Sequence, residues 1–146
     1  MLTKASNIDL SAAFTFAINT KIKDRIIELN TIDQLFNTGK DANGDSLGEY
    51  TPFTVEAKKS KGARFDHITL KDTGHFYNSF TVRFDGDDII IDADDSSMYD
   101  SPLTVEFGQD IIGLDDKSLD IIIELIRPEL IQYVRNVLEI WNITKV

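Results

Sequence analysis

The chain has no cysteine, so it carries neither a disulfide framework nor a thiolate metal site, and cysteine usage says nothing about redox compartment. It also lacks the continuous apolar run that a signal peptide or membrane span requires: MLTKASNIDLSAAFTF, at the N-terminus, has one lysine and then mixed polar and apolar residues. The expectation is a soluble protein made in the cytoplasm, with no membrane partner. Glycine-rich phosphate loops, nucleophile-elbow serines, internal repeats and low-complexity tracts are missing too, and Gly108 and Gly113 stand alone. Basic side chains are scarce where acidic ones are dense. Residues 85 to 120 hold twelve of the 25 acidic side chains and a single base, Lys117, so that window nets −11 within a total of −10. A globally acidic protein repels nucleic acid rather than clamping it. The one basic cluster, Lys58, Lys59, Lys61 and Arg64 in AKKSKGAR, reads as a solvated loop.

At 146 residues the chain suits a single domain, 1–146, with one modest core. Phe14, Ile18, Ile22, Ile26 and Leu29 recur at helical spacing and predict an N-terminal helix within about 9–37. Asn30-Thr31 is expected to interrupt it, with Thr31 and Gln34 in capping-box form starting a second short turn that carries Ile32, Leu35 and Phe36 and ends at Gly39. Residues 38–69 read as loop-rich. Phe80, Val82 and Phe84 alternate with polar residues, Asp85-Gly86 is a favoured two-residue turn, and Asp88 to Asp92 return. With that turn, Phe84 faces Asp87, Val82 faces Ile89, Phe80 faces Ile91 and Arg83 faces Asp88, while Ile90 is left apolar on the polar face. An acidic loop is expected over 93–114, within which LTVEFGQDIIGL is ambiguous between helical turn and strand. Leu119, Ile122, Ile123, Ile126, Leu130, Val134, Val137, Leu138 and Trp141 then predict a long C-terminal helix over about 115–142, capped by Asp115 or Asp116 and kinked or split at Pro128. Helix, turn and hairpin over 70–92, and long helix make an α+β fold.

Candidate chemistry is sparse. LKDTGHFYNSF, residues 70 to 80, contains the Asp-Thr-Gly triplet of aspartic proteases. Such an enzyme needs two carboxylates sharing a proton, in loops following buried apolar strands, and Lys71 precedes Asp72 here. The simpler expectation is that Asp72 or Thr73 caps a short helical turn, Gly74 permits the tight bend, and Phe76 and Phe80 anchor it. His67 and His75, the only histidines, match no zinc spacing and are expected at the surface or partly packed. Asp41, Asn43 and Asp45 have the alternation of the first ligands of a calcium loop, but Ser46 and Pro52 stand where its glycine and bidentate glutamate belong. An Asx-rich exposed turn is expected there, and a small calcium-responsive adaptor is the alternative function.

The order of these features resembles the phage virion morphogenesis family, the small tail-completion proteins of tailed bacteriophages. EYTPFTVEAKKSKG, LKDTGHFYNSF, TVRFDGDDIII, MYDSPLTVEFG and GLDDKSLDIIIELI follow one another as that family's segments do, over roughly residues 10 to 140. The specific part is Leu70, Asp72, Thr73, Gly74, Phe76 and Ser79 leading into the hairpin, with Phe107-Gly108 at the closing turn. Tyr99-Asp100 departs from the family's Tyr-Ala pair, and Val105 or Glu106 stands where it has histidine. The resemblance implies a non-enzymatic virion protein without cofactor or metal, forming a homo-oligomeric ring at the neck or tail end and contacting neighbouring neck or tail proteins. It also implies assembly in the host cytoplasm and a channel through which DNA slides without specific binding. Candidate assembly residues are Lys58, Lys59, Lys61 and Arg64 of the basic segment, Ile90, and Asp94, Asp95 and Tyr99 of the acidic one, whose opposite charges would steer one subunit onto the next.

Overall fold

The computed structural model describes residues 10–85, 88–96 and 101–145. Helix α1 (Leu10–Ala17) ends where Asn19 takes over as a cap, its Oδ1 accepting the Ile22 N–H at 3.0 Å to start α2 (Thr20–Glu28). The expected single N-terminal helix is therefore broken at Ile18-Asn19, because a short polar side chain competes with the backbone for its own N–H groups. The expected break at Asn30-Thr31 does not occur. The chain continues from α2 into a π-helical segment, Leu29–Phe36, in which Leu29, Asn30, Thr31, Gln34 and Leu35 are all buried. Thr31 does not cap a new turn: its hydroxyl donates back to the Ile27 carbonyl at 2.8 Å. Gly39, at φ 62°, closes the helix as expected and donates its N–H to the Leu35 carbonyl at 3.0 Å. A Cβ at that position would lie 2.5 Å from the His67 ring, so glycine is required by both conformation and space.

Three further short helices follow, one where a short helical turn was expected after Asp72-Thr73 and two in stretches expected to be loop. Helix α3 (Pro52–Ser60) is started by Thr51, whose Oγ1 accepts the Thr54 N–H, and by proline at its first position. Helix α4 (His75–Asn78) leads into the hairpin, and α5 (Leu103–Phe107) followed by a 3-10 turn (Gln109–Ile111) shows that the ambiguous LTVEFGQDIIGL is helical. Helix α6 (Asp116–Lys145) is capped by Asp115, whose Oδ1 accepts the Ser118 N–H at 2.8 Å. It is not split at Pro128. The i−4 carbonyl that Pro128 cannot serve belongs to Glu124, and both residues lie on the exposed side of the helix.

Strands β1 (Thr81–Asp85) and β2 (Asp88–Asp92) form a two-stranded antiparallel sheet. Its register corrects the expected one: Val82 faces Ile91, Phe84 faces Ile89, Arg83 faces Ile90 and Asp85 faces Asp88. Each partner has slipped by two residues, which leaves every side chain on its expected face. Phe80 precedes the strand, and Arg83 has no Asp88 opposite it; among the described residues it pairs with Asp85, at 3.8 Å. Gly86 and Asp87 lie outside the described residues, as do the side chains of Phe14 and Trp141.

Helix α1 packs along α6, and α2 packs against both α6 and β1. One apolar cluster, with Ile22, Ile26, Leu29, Val82, Ile122 and Ile126 at its centre, fills the space between them. A second gathers Leu35, Phe76, Tyr77, Phe80 and Ile111, and Ile27 and Ile91 border both clusters. Only part of the α6 stripe reaches the core: Ile122 and Ile126 are buried, whereas Leu119, Ile123 and Leu138 are exposed.

A pair of buried amides joins the two halves of the chain. Asn30, 0 % exposed, donates from Nδ2 to the Ile111 carbonyl at 3.0 Å and accepts the Gly113 N–H at Oδ1 at 2.8 Å. Gln34, 2 % exposed, donates from Nε2 to the Gly113 carbonyl at 2.9 Å and accepts the Asp115 N–H at 3.0 Å. The alternating backbone groups of 111, 113 and 115 are thus bound as a neighbouring strand would bind them, by two side chains four residues apart on one helix face. Asn30→Leu preserves much of the volume but orphans a buried carbonyl and a buried N–H. It is expected to cost about 2–4 kcal/mol in urea unfolding; a loss below about 0.5 kcal/mol would show that the amide bonds contribute little net stability.

Candidate functional site

The segment from Thr69 to Phe80 bends the chain into α4 and on to β1. Thr69, 1 % exposed, is gripped by two phenols: the Tyr50 hydroxyl accepts its N–H at 3.1 Å, and the Tyr77 hydroxyl donates to its carbonyl. Burial, with a smaller contribution from Tyr50, pushes the Tyr77 phenol well above the ordinary tyrosine value. Leu70 follows in the left-handed region at φ 58°, a conformation that costs a non-glycine residue about 1–2 kcal/mol, while its side chain packs against the second cluster. The Lys71 amino group stands 5.3 Å from the Phe36 ring and 5.9 Å from that of Tyr77.

Asp72 is exposed, and its carboxylate accepts no hydrogen bond among the described residues. The expected side-chain cap by Asp72 or Thr73 is not formed: Gly74, left-handed at φ 88°, is the N-cap, and Thr73 Oγ1 accepts the His75 N–H at 3.3 Å in a local turn just before the helix. Phe76 and Phe80 are both buried and meet edge to face at 5.0 Å, as the spacing predicts. Ser79 is a clip: its hydroxyl donates to the Phe76 carbonyl at 2.7 Å and accepts the Asp94 N–H at 2.9 Å, tying the end of α4 to the chain beyond β2. His75 Nε2 lies 2.8 Å from Asp94 Oδ2. Hydrogen bonds from Ser96, and then from His75, hold the Asp94 carboxyl down at about 2. His67 is partly packed, with Nε2 2.7 Å from the Phe36 carbonyl and Nδ1 3.2 Å from an Asp66 oxygen.

The expected calcium-type alternation is an Asx turn in the structure. Asp41 Oδ1 accepts the N–H groups of both Asn43 and Asp45 at 2.9 Å, and the Asn43 amide donates to Asp110 at 2.7 Å. Among the described residues there is no group of three or more His, Cys, Asp or Glu placed to hold a metal, and no helix long and apolar enough to cross a membrane.

The candidate assembly residues divide into occupied and free. Lys58 and Lys59 lie in the last turn of α3 rather than in a loop, with the Lys58 amino group 4.6 Å from the Tyr50 ring and that of Lys59 3.3 Å from Glu56 and 5.0 Å from the Phe65 ring. Arg64 is held bidentately by Asp66 at 2.7 and 3.1 Å, and this pairing keeps the Asp66 carboxyl at about 2. Lys61 is exposed at the end of α3. Asp95 accepts from the Thr104 hydroxyl, so it and Asp94 are both engaged within the chain. Ile90 is half-buried on the outer face of the hairpin, and Tyr99 lies outside the described residues. The sequence reading missed Phe53, 85 % exposed on α3, and the carboxylates of Asp85 and Asp88, set directly opposite each other. Comparison of the chain with protein-family models, curated proteins and solved structures finds no match.

These roles separate two substitutions. Asp72→Asn is expected to change stability by less than about 0.5 kcal/mol. Ser79→Ala, which removes a clip of two bonds, is expected to cost about 1–2 kcal/mol in the same urea titration. Equal costs would contradict the assignment of the clip to Ser79.

Proposed function

We propose that the chain is a structural virion component of a tailed bacteriophage: a non-enzymatic, ring-forming tail-completion or neck protein that joins head to tail. The observation that carries this reading is the segment of residues 70 to 80, in which Leu70, Thr73, Gly74, Phe76 and Ser79 build a bent, clipped turn that launches β1. That is the part in which the resemblance to the morphogenesis family is most specific, and these residues serve folding. Assembly is also supported by apolar surface the chain does not use itself: Phe53 on α3 and Leu119, Ile123, Ile131 and Leu138 on α6 are exposed. In this reading the partners are further copies of the chain and the neighbouring neck or tail proteins. Its acidic balance suits a channel through which DNA slides unbound.

Deleting the gene from the phage that encodes it tests this reading. The expected result is DNA-filled heads and tails that fail to join, with the chain present in purified wild-type particles by mass spectrometry. Wild-type particles that lack the chain, or a deletion that leaves joining intact, would overturn it.

A further inference from the structure

Helix α3 has no buried residue and makes no more than marginal contact with any other helix or strand. A nine-residue helix is marginal in water by itself. Thr51, Pro52 and the Lys58–Tyr50 contact hold it in place, yet its outward stripe is Phe53, Ala57 and Lys61, four residues apart and all exposed. The stripe thus has an apolar residue at its start and a basic one at its finish, and Lys59 is exposed beside it, its amino group 3.3 Å from the exposed Glu56 carboxylate.

The outer face of the hairpin offers the complementary pattern. With Val82, Ile89 and Ile91 turned to the core, alternation leaves Thr81, Arg83, Asp85, Asp88, Ile90 and Asp92 on the other side, and no third strand pairs with the sheet among the described residues. Asp85 and Asp88 are directly opposed, an arrangement that destabilises a hairpin until a cation lies between them, and among the described residues Arg83 is paired with Asp85, at 3.8 Å. Beside them Ile90 is the single apolar residue of the face, half-buried and available.

We infer that α3 of one copy of this chain docks on the outer hairpin face of the next, with Phe53 over Ile90 and Lys59 and Lys61 on the Asp85–Asp88 pair. The dimensions agree. Lys61 lies eight residues from Phe53, about 12 Å along the helix, and Asp88 lies two residues from Ile90, about 7 Å along the strand. The four-carbon lysine stem spans the difference. Because each copy carries one of each surface, the contact is heterologous and repeats from copy to copy, closing into a ring where the rotation permits. This contact deepens the ring-forming reading and rests on it.

Two charge-reversed full-length chains test the contact: Lys59→Glu/Lys61→Glu, and Asp85→Lys/Asp88→Lys. All four positions are exposed, and circular dichroism melting checks that both variants fold. In low salt, light scattering is expected to show self-association of the wild-type chain and its weakening by at least about a hundredfold in each variant alone. An equimolar mixture of the two variants is expected to reassemble, since each reversed surface then meets its opposite. Assembly of either variant at wild-type strength, a mixture of folded variants that stays monomeric, or a wild-type chain that never self-associates would overturn the contact. None of these results decides the virion reading, which stands or falls on the presence of the chain in particles.

Discussion

The fold depends on two amide side chains. Asn30 and Gln34 project from a π-helical stretch and hold a line of backbone groups, those of Ile111, Gly113 and Asp115, through four hydrogen bonds. That line does two jobs. It seats Ile111, fully buried, in the second apolar cluster, and it brings Asp115 to the point from which it caps α6. Helix α6 in turn covers α1 and α2. Without the amides, the C-terminal helix would be joined to the rest of the molecule by apolar contact alone, with four backbone groups left to be buried unpaired or hydrated. The buried polar side-chain atoms of the described residues all have partners, as a clamp of this kind requires.

The segment of residues 70 to 80 serves the same architecture from the other side. Its Tyr77 and Phe76 complete the cluster that Ile111 enters, and Ser79 fastens the end of α4 to Asp94 after the hairpin has turned back. The sheet consists of only two strands, which by itself is marginally stable. Val82, Ile89 and Ile91 on one face of it are anchored to the helices, and the opposite face is left with a surplus of carboxylates. The basic and apolar α3 lies elsewhere on the chain, and the proposed contact between copies brings the two surfaces together.

Much of this was legible in the residue pattern, and the misses have physical causes. The stripes of Ile22, Ile26 and Leu29 and of Ile122 and Ile126 could be read because burial on one helix face imposes a period. The faces of the hairpin were legible but its register was not, since a slip of two residues keeps Val82, Phe84, Ile89 and Ile91 on the same side and hydrophobic alternation cannot sense it. Helix α3 buries nothing and so leaves no stripe; its only signal was Thr51 followed by Pro52. The roles of Asn30 and Gln34 were misread because their partners lie 79 to 83 residues away, and locally an Asn-Thr pair followed by Gln looks like a cap. Phe53 and the opposed Asp85 and Asp88 emerged only with the register and the exposure in hand.

If the amide clamp organises the fold, the backbone N–H groups of Gly113 and Asp115 belong to the most stable part of the molecule, although neither lies in a helix or strand. Native-state hydrogen exchange measures this directly. The expected result is that both amides exchange only through global unfolding, with the same denaturant dependence as the N–H groups of Ile26 and Ile126 in the core. Exchange of Gly113 and Asp115 at the rate of the exposed loop amides near Gly44 would contradict it.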